Sequence, residues 1–149
     1  MKTITILTSQ TSWYVEYAQN IVGELKNQGH CCNLVHSAQD LSGGDIGFIL
    51  SFDKIVSPEF LTLHKYNVVC HASDLPKGKG MSPMSWQILE GATRIPLTMF
   101  EASEGVDSGA IYKKVFFFTG MDRTQGWISG ILSEVLPATS KFANTQRGR

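Results

Sequence analysis

A chain of 149 residues, 42% hydrophobic, with 13 basic and 13 acidic side chains and zero formal net charge, is sized for one globular domain. That balance gives no electrostatic pull toward nucleic acid or an anionic membrane, and neither is expected as a partner. The three cysteines (Cys31, Cys32, Cys70) are odd in number and lack CxxC spacing, which argues against a disulfide framework or a zinc site, and no metal is expected.

Thr3 to Leu7 reads as a first strand. The N-terminal stretch is too short and too alternating for a signal sequence. No apolar run approaches the roughly 20 residues of a membrane-spanning helix, so a cytoplasmic protein is expected. Ser9 to Ser12 forms a polar turn in which Thr11 or Ser12 can cap a helix. Tyr14, Ala18, Ile21, Val22 and Leu25 then recur at helical intervals, and Gly29 is a natural stop. Cys31 to His36 is the second strand. Asp45 to Phe52 is the third, entered through Gly43-Gly44.

Ser57-Pro58 opens a short helix carrying Phe60, Leu61 and Leu63. Asn67 to Cys70 is the fourth strand, followed by a long loop and a helix from Ser82-Pro83 to Gly91. Ile95 to Phe100 and Ile111 to Phe118 are two further strands, joined too tightly for a crossover helix, so their pairing is expected to differ from the rest. Strands alternating with helices predict an α/β fold: a Rossmann-like, mainly parallel sheet with helices on both faces. From Thr119 the pattern weakens to one amphipathic segment, Trp127 to Leu136, and a polar tail.

In open α/β sheets ligands bind beyond the carboxyl ends of the strands. His71 and Asp107 each follow a strand there. A histidine can give or take a proton near neutrality, and a carboxylate can orient it or a water. The plainer alternative is that His71 bonds a backbone carbonyl and Asp107 caps a turn. Cys70 reads as a buried apolar residue rather than a nucleophile, because strand neighbours point to opposite faces. Lys77 and Lys79 suit a phosphate or are solvated loop charges. A plain nucleotide-binding module is disfavoured, since GxGxxG does not follow the first strand.

His71-Ala72-Ser73-Asp74-Leu75-Pro76, a Lys/Gly stretch, and Glu104-Gly105-Val106-Asp107-Ser108-Gly109 resemble the two signature segments of the folate-dependent formyltransferases. Asp53 to Leu61 resembles that family's segment beside the pterin pocket. The resemblance covers residues 45–118 well and implies residues 1–123 as a formyltransferase catalytic domain lacking its usual C-terminal elements. Residues 124–149 stand apart as an atypical helix and tail, and a truncation or shifted reading frame is the expectation there.

The implied reaction moves a formyl group from the cosubstrate 10-formyltetrahydrofolate to a primary amine. By resemblance, His71 and Asp107 are catalytic, and Phe52, Ile55, Glu104 and Val106 bind the cosubstrate. Ser73, Lys77 and Lys79 bind the acceptor. As apolar residues, Phe52 and Ile55 are also plain core candidates. Asp74 and the run from Met84 to Gly91 are most similar to sugar formyltransferases. The expected acceptor is therefore a nucleotide-linked amino sugar, with glycinamide ribonucleotide or methionyl-tRNA as alternatives, and a homodimer is left open.

The family places an asparagine two residues before the histidine, where Val69 stands here. Asn67 lies about 13 Å from His71 along a regular strand and is not expected to replace it. An inactive, folate- or nucleotide-binding member is the alternative from a different functional class.

Overall fold

The computed structural model describes residues 1–12, 14–71, 74–75, 77, 87, 89–102 and 109–118. Among the described residues are six strands, β1 (Thr3–Leu7), β2 (Cys31–Val35), β3 (Gly44–Ile49), β4 (His64–His71), β5 (Arg94–Glu101) and β6 (Ile111–Phe118), the first four in the order β2-β1-β3-β4 and the last two paired with each other. The chain divides into two compact units, Met1–Cys70 with Glu101–Val106 and His71–Phe100 with Asp107–Arg149.

In the first unit β1 (Thr3–Leu7) pairs in parallel with β2 (Cys31–Val35) on one side and β3 (Gly44–Ile49) on the other. β4 (His64–His71) continues the parallel set beside β3. Ile4, Thr5, Ile6 and Leu7 are all buried, as a central strand covered on both faces requires. Burying an isoleucine contributes on the order of 1.5–3 kcal/mol.

Helix α1 (Val15–Asn27) buries Ala18, Ile21 and Leu25, with Tyr14 just ahead of it. Neither Thr11 nor Ser12 caps the helix: its N-cap is Tyr14, with no side-chain cap bond, and the Ser12 hydroxyl instead accepts the Tyr14 N–H at 3.1 Å in the turn before it. Gly29 closes the helix at φ +88°, which lets His30 N–H reach back to the Leu25 carbonyl at 3.0 Å.

Two strand limits differ from expectation by three residues, the others by one at most. β3 ends at Ile49 instead of Phe52 because Ser51 takes φ +50°, a left-handed conformation that breaks the extended chain. β4 starts at His64, three residues earlier than the apolar run suggests. Its first pairs are Gly44 with His64 and Ile46 with Tyr66. His64 is only 4% exposed, and its Nε2 lies 3.0 Å from Thr5 Oγ1. The ring lies close over Gly47, where a Cβ would sit 3.0 Å from Nδ1. Helix α2 (Pro58–Leu61) is a single turn that buries none of its residues.

In the second unit, β5 (Arg94–Glu101, whose last residue belongs to the first unit) pairs antiparallel with β6 (Ile111–Phe118). This is the different pairing expected of the short connection. Ile95 through Phe100 are buried, and Arg94 places its guanidinium carbon 3.7 Å from the Phe116 ring centroid. Gln87 and Leu89 are helical, within the helix expected from Ser82-Pro83, and Ala92 N–H bonds the Gln87 carbonyl at 2.9 Å. Glu90 and Gly91 form a turn, while residues 82–86 and 88 and the segment from Trp127 lie outside the described residues.

Candidate functional site

The strand order reverses between β1 and β3, because α1 leads to β2 on one side and the chain then returns to β3 on the other. The carboxyl ends of β1 and β3 therefore flank a topological switch point, where open α/β sheets take their ligands. Four polar residues meet there. Ser9 Oγ donates to Asp53 Oδ1 at 2.7 Å and accepts the Asp53 N–H at 2.9 Å, and the hydroxyls of Ser12 and Ser51 are 2.8 Å apart. The bonds join segments about 40 residues apart, so sequence spacing alone had no means of pairing them.

Phe52 and Ile55 sit on the same strand-end segment. Phe52 is half-buried, whereas Ile55 is 75% exposed and so is not a core residue. Its apolar surface is available to a ligand.

Asn67 is tied into the structure by its side-chain nitrogen and both backbone groups. Its Nδ2 donates to the Leu61 carbonyl at 2.6 Å, its backbone N–H meets the Glu101 carboxylate at 3.1 Å, and its carbonyl accepts from Ala102 N–H at 2.8 Å. It does not supply the amide that the family sets two residues before the histidine, and Val69 occupies that place, paired with Ile49. Cys70 is an unsuitable nucleophile: burial pushes its thiol up to about 12, keeping it protonated. Tyr14 is likewise held in its neutral form, its phenol raised by burial and then by Cys70.

In the second unit His71 is the last residue of β4 and is half-buried. Beyond it Leu75 is buried, and Lys77 N–H closes a turn onto the Asp74 carbonyl at 3.0 Å. Lys114 on β6 reaches this turn, donating to Asp74 Oδ1 at 2.8 Å and to the Leu75 carbonyl at 2.6 Å. Hydrogen bonding from Lys114, and then its charge, hold the Asp74 carboxyl below the usual range. In the sequence Lys114 stands out only as half of a Lys113/Lys114 pair. Asp107, Glu104, Val106, Ser73 and Lys79 lie outside the described residues. Among the described residues no His, Cys, Asp or Glu cluster could hold a metal, and no helix is long and apolar enough to cross a membrane.

The formyl transferase family profile matches residues 9–123, a span that contains both signature segments and the strand-end segment at Asp53. The chain belongs to the formyl transferase family.

A methionyl-tRNA formyltransferase from Thermosipho melanesiensis is 41% identical over 71 residues, which cover 47% of this chain and 23% of that relative. The chain thus spans about a quarter of that relative's length. Among solved structures, the fold is shared with methionyl-tRNA formyltransferase from Clostridium thermocellum (TM-score 0.74, 19% identity, covering 95% of this chain and 66% of that one). HypX from Aquifex aeolicus in complex with tetrahydrofolic acid has the same fold (TM-score 0.76, 20% identity, covering 96% and 27%). So does a sugar N-formyltransferase from Shewanella sp FDAARGOS_354 (TM-score 0.66, 13% identity, covering 95% and 71%). These likenesses bear out the Rossmann-like, mainly parallel sheet of a formyl transferase catalytic domain.

Proposed function

We propose that this chain transfers a formyl group from 10-formyltetrahydrofolate to a primary amine. The observation that carries the reading is the family match over residues 9–123, which takes in both His71 and Asp107. The amine lone pair attacks the formyl carbon and the carbonyl pair moves onto oxygen. The carbon–N10 bond of the cosubstrate then breaks, and the proton shed by the amine ends on N10, leaving an N-formyl amine and tetrahydrofolate.

His71, at a strand end, is assigned to the developing oxyanion, where a preorganised donor gives a large catalytic effect. Asp107 is assigned to orient the histidine or an ordered water during proton transfer. Phe52, Ile55, Glu104 and Val106 are assigned to the folate, and the exposure of Ile55 supports its part. Ser73, Lys77 and Lys79 are assigned to the acceptor. Val69 leaves the oxyanion without the family's amide, which calls for another donor in this chain or leaves the site impaired.

On the acceptor, the matched relatives named methionyl-tRNA formyltransferase favour methionyl-tRNA over the amino sugar expected from Asp74 and residues 84–91. That acceptor would set aside the expectation of no nucleic-acid partner. The sugar reading is kept second, since its structural support is likeness of fold at 13% identity. Incubating the chain with 10-formyltetrahydrofolate and, separately, methionyl-tRNA, nucleotide-linked amino sugars and glycinamide ribonucleotide tests both parts. Mass gain of one formyl group identifies the acceptor. Folate binding by calorimetry without any turnover would instead mark an inactive member.

A further inference from the structure

We propose that Lys114 is a positioning residue that clasps the loop following His71 in its working pose. The inference deepens the formyl-transfer reading and rests on it. The described part of this loop has three fixings. Leu75 is buried with 2% of its surface exposed, the Asp74 carbonyl accepts from Lys77 N–H, and Lys114 bonds the Asp74 carboxylate and the Leu75 carbonyl together. The turn is local to the loop, whereas the ammonium ties it by hydrogen bonds to β6, from partners 40 and 39 residues away in sequence.

The position of the clasp gives it functional weight. Lys114 lies on β6, the strand into which the Glu104–Gly109 segment leads, seven residues after Asp107. Asp74 lies three residues after His71. One ammonium therefore links the loop of the first signature segment to the strand that follows the second. Its two bonds are charge-assisted and short, and geometry of this kind sets the orientation of a neighbouring catalytic side chain.

Exposure separates positioning from stability. Lys114 and Asp74 are 34% and 51% exposed, and ion pairs this open contribute little to folding because water and salt replace them readily. Losing the clasp frees the loop without unfolding the chain. A purely structural role would give the reverse, a lower melting temperature with turnover preserved in the folded fraction.

The test compares Lys114→Met and Lys114→Arg with the parent chain by hydrogen exchange at the Leu75 and Lys77 amides, thermal melting and formyl-transfer kinetics. In Lys114→Met, loop exchange should rise and kcat should fall by about 10-fold or more while the melting temperature stays near that of the parent. Lys114→Arg keeps the charge and two or more donors, and should return kcat to within about threefold of the parent. Unchanged loop exchange in Lys114→Met would overturn the clasp. Faster exchange with unchanged kcat would overturn its catalytic relevance. A parent chain that binds folate yet formylates no amine would sink the formyl-transfer reading and the catalytic half of the proposal together, and exchange would then decide the clasp alone.

Discussion

In the parallel strands and helix α1, Ile4, Ile6, Ile21 and Leu25 are buried almost completely, and the strands are tied along their length by backbone pairing. The loop after β4 has one buried apolar anchor, Leu75, and relies beyond that on a turn and a half-exposed ammonium–carboxylate pair. The first arrangement stores free energy in apolar burial, so damage there is felt as lost stability. On the positioning role proposed for Lys114, the second sets geometry at little energetic gain, so damage there should be felt as lost rate.

The largest stability effect should come from Ile6→Ala on the central strand. With no exposed surface to relieve the cavity, it should cost about 2–5 kcal/mol, measured by urea denaturation. A cost similar to that of a surface substitution would contradict the assignment of β1 as the core strand. Gly47→Ala comes next. The new methyl would sit 3.0 Å from His64 Nδ1 and 3.3 Å from Asn67 Oδ1, so the His64 ring, bonded to Thr5, must give by a few tenths of an ångström. A loss of about 1–3 kcal/mol is expected, and a stabilised variant would show that the slot is roomier than the geometry indicates.

A smaller, pH-dependent effect should come from His64. Burial lowers its pKa from the ordinary value of 6.5, so the folded chain favours the neutral ring. Below about pH 6.5 the unfolded chain binds the proton more readily than the folded one. Stability is therefore full above that pH and falls as the solution is acidified through the window down to the depressed folded value. Melting curves of the parent and of His64→Gln between neutral and mildly acidic pH should diverge with that sign. Parallel curves would show that His64 is not the group responsible. Smallest in stability is Lys114→Met, whose melting temperature should stay close to that of the parent.

Periodicity made β1, α1 and β6 legible, because alternating or helically spaced apolar residues record which face is covered. Two limits were hidden for opposite reasons. Leu50-Ser51-Phe52 looks extended, yet Ser51 turns left-handed. His64-Lys65-Tyr66 looks like a loop, yet Gly47 leaves room for the His64 ring and lets the strand begin there. At the site, His71 follows from its place after an apolar strand, and the setting aside of Asn67 follows from strand rise, with its bond to the Leu61 carbonyl giving the physical reason. The Asp74–Lys114 clasp and the Ser9–Asp53 pair stayed out of reach, because each joins residues about 40 positions apart that nothing local marks as partners.

The central claim is that His71 performs formyl transfer on a scaffold that folds without it. It is tested most directly by the turnover of His71→Asn with 10-formyltetrahydrofolate and the best acceptor, measured beside its melting curve. Turnover should drop by about 100-fold or more with the melting temperature preserved. Undiminished turnover in a folded His71→Asn chain would contradict the account.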